Sequence, residues 1–225
     1  MTSIKNTLNG LVGRGALYVS ALALPLLFAT GCSEPESLAM AELVLEGGEY
    51  LHPVTREPYS GTAFAAYDDP PQHIERRASL RDGRYDGPFE LFYEDHTLSL
   101  REVYRQGQKD GPYEWYFEDG QLYERGTYVN GLREGPYEAY FGHGKLYEKG
   151  TYRFGDFHGA REWYRGGQLI EQVTYVDGQI DGPYERYSPD GGVAFRGTLR
   201  YGNPCGTWIE GSDRVNYPTC GFVSD

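Results

Sequence analysis

The sequence is short of the residues that most chemistry needs. Its five histidines are scattered and its three cysteines stand at 32, 205 and 220, so no Cys/His cluster has the spacing of a metal site. Serines are few, and none sits in a Gly-x-Ser-x-Gly elbow. The Gly144-Lys145 pair lacks the rest of a phosphate loop: Leu146 stands where Ser or Thr is needed, and Ala139 where the first glycine belongs. Paired carboxylates occur only in turns and ladders, without a desolvated pocket to shift their pKa. These absences argue against an enzyme, and no cofactor or metal is expected.

Positive charge is also scarce, with 21 Lys and Arg against 33 Asp and Glu. Such a balance repels nucleic acid and anionic lipid head groups, which excludes a nucleic-acid partner. The apolar run Ala16 to Ala29 is interrupted by Pro25 and is too short for a comfortable spanning helix. No helix-period segment follows it. Aromatics, by contrast, are abundant: 21 Tyr, 10 Phe and 3 Trp are too many for a disordered acidic chain.

The first residues read as a targeting segment, with Lys5 and Arg14 as the positive region ahead of the apolar run. It leads into Ala29-Thr30-Gly31-Cys32, which resembles the bacterial lipobox. The resemblance implies removal of residues 1–31, lipid attachment at Cys32 and, with Ser33 next, sorting to the outer membrane. Removal leaves 19 basic and 33 acidic residues, net −14, so a lipid and not a basic patch would hold the protein at a membrane. Cys205 and Cys220 then remain as an even pair in an oxidising compartment, read as a disulfide, with two reduced buried thiols as the alternative.

What fills the chain is a repeat. GPYEWYFEDGQLYERGTYVNGLRE at 111–134 is followed at once by GPYEAYFGHGKLYEKGTYRFGDFH. The leading glycines, Gly87, Gly111, Gly135, Gly159, Gly182 and Gly206, recur at intervals of 24, 24, 24, 23 and 24. A looser copy begins at Gly61. Within a unit, aromatic-rich runs alternate with Asp-Gly or Asn-Gly turn signals, so each unit is a β-hairpin. The organisation reads as leader 1–31, tether 32–43, hairpin repeats 44–210 and C-terminal cap 211–225.

If Asp119-Gly120 is a two-residue turn, Glu114 faces Arg125 and Tyr116 faces Tyr123. The same arithmetic pairs Glu90 with Arg101, Glu138 with Lys149 and Glu185 with Arg196. Four acid–base pairs explain the recurring glutamate column more cheaply than a catalytic or ion-binding ladder. The fourth unit, REWYRGGQLIEQ, lacks one turn residue and calls for a different turn. Tyr113 would cover Gly126, and Tyr137 would cover Gly150, across the strand pair.

The recurring Gly-Pro-Tyr-Glu-x-Tyr…Gly-x-Leu…Thr-Tyr-x-x-Gly resembles the MORN repeat, in the variant form common in bacteria. The resemblance covers residues 44 to about 210 and implies an all-β fold, an elongated, twisted antiparallel sheet of repeated hairpins with capped ends. Cys205 and Cys220 would staple the C-terminal cap, and residues before Gly61 would cover the other edge. The functional expectation is a lipid-anchored envelope module that binds another protein. Its candidate surface is the alternate-residue aromatic face: Tyr113, Trp115, Phe117, Tyr137, Phe141 and Trp163. The same rings suit a glycan, or they simply pack on each other to hold a thin sheet together. A second class of function, inhibition of a basic toxin, follows from bacterial members of the family described as antitoxins.

Overall fold

A computed structural model describes residues 37–68 and 72–221. The leader and the lipid-attachment residue Cys32 lie outside the described residues. The fold is all-β. From Gly61–Ala66 onward each strand pairs antiparallel with the next in sequence: Ile74–Arg81, Arg84–Phe92, Leu98–Arg105, Gly111–Tyr116, Leu122–Val129, Gly135–Tyr140, Leu146–Arg153, Gly159–Arg165, Gln168–Val176, Gln179–Tyr187, Val193–Arg200, Asn203–Glu210 and Asp213–Asn216. One continuous sheet results, in chain order, as tandem hairpins require.

The N-terminal edge departs from the expected pattern. Ser37–Ala39 closes it by pairing in parallel with Gly61–Ala66, which among the described residues makes the sheet mixed at that one place. Within the expected tether, residues 37–43 contribute this strand and the core residue Leu43. Val44–Glu46 and Glu49–Leu51 form a separate two-stranded hairpin, held to the main sheet by Tyr50 N–H donating to Gly83 O at 2.8 Å and by Arg84–Glu49 at 2.9 Å. Leu43, Tyr59, Ala63, Ala78, Leu80, Phe89 and Leu100 make the larger apolar cluster, and Tyr137, Ala139 and Tyr152 a second.

The acid–base register is the one the sequence predicts, but the turn is not. Glu114 pairs with Arg125, Glu90 with Arg101, Glu138 with Lys149 and Glu185 with Arg196. Tyr116 faces Leu122 instead of Tyr123, because the loop has three residues, closed by Phe117 N–H donating to Gln121 O at 2.8 Å. Tyr123 is then an extra, bulged residue, which restores the register from Trp115–Glu124 onward. A three-residue loop with a bulge thus mimics a two-residue turn everywhere except at its own rim. The fourth unit does use a different turn: Arg165 pairs with Gln168 around Gly166-Gly167, whose φ values of 61° and 87° fit a type I′ turn.

At two repeats the leading glycine has a steric cause, whereas Gly135 and Gly159 share only its positive φ, 79° and 86°, with open space around them. Gly111 adopts φ 139°, and a Cβ there would lie 2.8 Å from Cβ of Val103 on the neighbouring strand. Gly182 is equivalent, with φ 133° and Thr174 at 2.9 Å.

Cys205 and Cys220 form a disulfide with Cα atoms 5.0 Å apart. It ties the segment after the edge strand Asp213–Asn216 back to the start of Asn203–Glu210, and Gly206 N–H donates to Pro218 O at 2.8 Å beside it. The bridge spans a sequence separation of 15. A loop of that length is worth about 3 kcal/mol in the chain-entropy account. Replacing both cysteines by serine is expected to lower unfolding free energy by about that amount, read from urea denaturation. An unchanged midpoint would show that the cap is held by its hydrogen bonds alone.

Candidate functional site

Side chains alternate across each strand, so the register assigns every repeat residue to one of two sheet faces. Tyr113, Trp115, Tyr137, Trp163, Tyr184 and Trp208 share the first face; the glutamate column occupies the second.

The first face is a lattice of rings, acids and bases that satisfy one another. The Tyr113 hydroxyl donates to Glu124 at 2.8 Å. Arg133 meets the same carboxylate at 3.0 Å, donates to the Tyr152 hydroxyl at 2.9 Å, and lies 5.4 Å and 5.3 Å over the rings of Tyr113 and Tyr152. One repeat on, Arg161 pairs with Glu148 and lies 3.9 Å over Phe157 and 4.8 Å over Trp163. One repeat back, Lys109 donates to the buried Glu102 at 2.7 Å and lies 5.0 Å over Tyr128. Burial, and then the hydrogen bond to Glu124, push the Tyr113 hydroxyl well above the usual tyrosine range. Partial burial, and then the Glu102 carboxylate beside it, push the Tyr104 hydroxyl up to about 12.

The candidate binding residues therefore divide. Tyr113 is 1% exposed and Tyr137 6%, so both belong to the packing of the sheet. Phe117, Phe141 and Trp163 are half-buried. Trp115 is 42% exposed. Tyr113 covers Gly126, where a Cβ would lie 2.7 Å from its ring, but Gly150 is covered by Phe157 and Arg161 at 3.5 Å and not by Tyr137. The reason is that the Tyr137 ring packs toward Tyr152 and Phe157, with centroids 5.4 Å and 6.0 Å away.

On the second face the glutamates accept from the tyrosine two residues on: Tyr116 to Glu114 at 2.7 Å, Tyr140 to Glu138 at 2.6 Å, and likewise Tyr164 to Glu162 and Tyr187 to Glu185. Arg101 meets Glu90 at 3.2 Å and Arg196 meets Glu185 at 2.8 Å, within their hairpins. Arg125 and Lys149 instead reach forward to the next hairpin, to Glu138 at 2.7 Å and Glu162 at 3.0 Å. Arg125 stands directly opposite Glu114 on one side and Glu138 on the other, and its contact is with Glu138. Between these columns lie two equivalent hollows one repeat apart, of about 340 and 330 Å³, sharing Pro136 and Glu138 in their walls. Both are open and lined by side chains already paired. Among the described residues no group of three or more His, Cys, Asp or Glu side chains could hold a metal ion.

The ion-pair geometry gives a testable outcome. A double-mutant cycle with Arg125→Glu and Glu138→Arg should show coupling of about 0.5 kcal/mol, larger than that of Arg125→Glu with Glu114→Arg. Stronger coupling to Glu114 would mean that the base leans back into its own hairpin.

A third surface emerges at the sheet edge formed by the three-residue turns, one that strand alternation alone does not reveal. Tyr123 and Tyr147, the bulged residues, are each 40% exposed and pack edge-on against Phe117 and Phe141 at 5.1 and 5.0 Å. Its signal in the sequence is the tyrosine after Leu122 and after Leu146, at a position that a two-residue turn assigns to a regular strand.

Residues 109–130, 133–153 and 159–177 match the family model described as MORN repeat variant. The matched segments are central hairpins of the sheet, and the flanking hairpins Arg84–Arg105 and Gln179–Arg200 repeat the same register, loop and bulge outside them. No curated protein matches the chain.

Proposed function

We propose that the protein is a lipid-anchored β-repeat module of the bacterial cell envelope, held at the outer membrane through Cys32, that acts by binding another protein and not by catalysis. The observation that carries this reading is the division of its aromatics. Most rings are locked into the lattice of the sheet, while a minority stay open to solvent on a MORN-variant repeat array: Trp115, Tyr123 and Tyr147 close together, and Tyr67, Phe154, Phe195 and Tyr201 elsewhere. Large exposed rings with polar tips are the residues that dominate protein interfaces. The hollows on the second face enclose no unpaired titratable group of the kind that an active site needs.

The test is gentle cross-linking and affinity recovery of the lipidated protein from its own envelope, read by mass spectrometry against a Cys32→Ala control. Recovery of one protein in near-equal amount is expected, and its identity separates a scaffold from an immunity protein that masks a basic toxin. No protein enriched over the control would overturn the reading in favour of a glycan ligand or a purely structural coat.

A further inference from the structure

The edge built by the three-residue turns carries two features that point to the chemistry of its partner. The first is the exposure of rings. Trp115 is 42% exposed, although the residues directly in line with it on the same face, Leu100 and Ala139, are 8% and 3% exposed. Tyr123 and Tyr147 extend this strip along the same edge.

The second feature is uncompensated charge. Glu94 and Asp95 lie in the turn after Tyr93, and Glu118 and Asp119 in the turn after Phe117, and none of the four makes an ion pair among the described residues. At the opposite edge several acids are paired: Asp86, Asp110, Asp177 and Asp181 each have an arginine at 3.7, 3.6, 3.0 and 3.0 Å, whereas Asp82, Glu134 and Asp156 make no ion pair among the described residues. The field at the first edge is felt by Tyr93, whose hydroxyl pKa is raised by burial and then by Glu118 and Asp95.

We propose that this edge docks a cationic segment of the partner protein, rich in arginine or lysine, which lays its side chains over Trp115 and Tyr123 and pairs with Glu94, Asp95, Glu118 and Asp119. This rests on the protein-binding reading above and specifies its surface. A guanidinium can stack on an exposed indole or phenol while its N–H groups reach a carboxylate, so rings and acids side by side select that ion over a neutral ligand. The two acidic turns are two strands apart, about 10 Å, which is the reach of roughly three residues of extended chain. A segment with a basic residue at every third position meets both turns at once. The remaining negative charge of the chain steers such a segment toward the protein and repels an anionic membrane surface.

The experiment titrates the full-length protein with a synthetic extended peptide carrying arginine at every third position, by calorimetry at low salt. Three variants are compared with the wild type. Glu118→Gln with Asp119→Asn should weaken binding about tenfold, and Trp115→Ala, which leaves net charge unchanged, about fivefold. Asp82→Asn with Asp213→Asn removes the same charge from exposed positions elsewhere and should weaken it less than twofold. Equal losses in the two charge-neutralised proteins would reduce the effect to diffuse attraction and overturn the proposal. So would full binding by Trp115→Ala, or tighter binding of a neutral oligosaccharide that survives loss of the acids. The cellular partner separates the two levels of inference. A protein that still cross-links in near-equal amount to a variant combining Trp115→Ala, Glu118→Gln and Asp119→Asn overturns this edge and leaves the proposed function standing, whereas recovery of none from the wild type overturns the function itself.

Discussion

Alanine at Gly197 should destabilise the protein by about 3 kcal/mol, the upper range for overpacking a filled site. A Cβ there would lie 2.1 Å from Cδ2 and 2.2 Å from Cε2 of Trp208. The indole has little freedom to retreat. It is 5% exposed, its Nε1–H donates to Cys205 O at 3.0 Å and Thr198 O at 3.2 Å, and it stacks on Tyr184 at 5.6 Å. Two equivalent glycines calibrate the effect. At Gly126 the nearest atom belongs to the Tyr113 ring at 2.7 Å, and at Gly150 nothing lies closer than 3.5 Å. The expected order of cost from urea denaturation is Gly197, then Gly126, then Gly150, where alanine should change stability by less than about 0.5 kcal/mol. Equal costs at all three would refute the claim that ring cover, and not backbone entropy, fixes glycine here.

Alkaline solution should unfold the sheet well before it would unfold a protein with exposed tyrosines. Burial, followed by Glu124 in one case and Glu148 in the other, raises the Tyr113 and Tyr137 hydroxyls above the free value of about 10. A folded pKa raised above the unfolded one means that the native state holds its proton longer. The stability each residue contributes is complete below about pH 10 and is lost as pH rises toward the folded value. By about pH 12 each of these two would forfeit about 3 kcal/mol, against a whole-domain stability of about 5–15 kcal/mol. Tyrosinate absorbance should therefore appear in one step together with loss of the strand circular dichroism signal. A gradual titration of all tyrosines with the sheet intact would show that the lattice admits the charged form.

The hairpin repeat and the acid–base register were legible because both depend on local spacing and on residues that recur in every unit. Glu90, Glu114, Glu138 and Glu185 find a base opposite them at any correct register, and only one register supplies all four. The bulge at Tyr123 was hidden because the extra loop residue and the extra strand residue cancel beyond the rim. The direction of the ion pairs was hidden for another reason: Arg125 has an acid on both sides, and hairpin arithmetic considers only one of them. Lys109, Arg133 and Arg161, which neutralise Glu102, Glu124 and Glu148 on the aromatic face, lie near the junctions between units, beyond the reach of pairing within a single hairpin. The parallel strand Ser37–Ala39 carries no periodic signal at three residues long, and its place follows from the edge it covers. Of the candidate aromatics, Tyr113, Trp115, Tyr137 and Trp163 lie on one face, but exposure differs within that face according to what the next strand offers, which a single unit does not encode.

One column of hydrogen bonds bears on how such a chain can change length. The amides of Gly107, Gly131, Gly155, Gly178 and Gly202 donate at 2.7 to 2.9 Å to the carbonyls of Tyr85, Lys109, Arg133, Phe157 and Ile180, each in the preceding unit. Every unit hands on one acceptor and receives one donor, so no unit is chemically first or last in the interior. If residues 111–134 were excised, Asp110 would join Gly135, the amide of Gly155 would meet the carbonyl of Lys109, and Lys109 would take the place of Arg133 over the next ring. The array behaves as a tape that can be cut and rejoined at whole units, and the number of units is free to follow the length of whatever the protein must span.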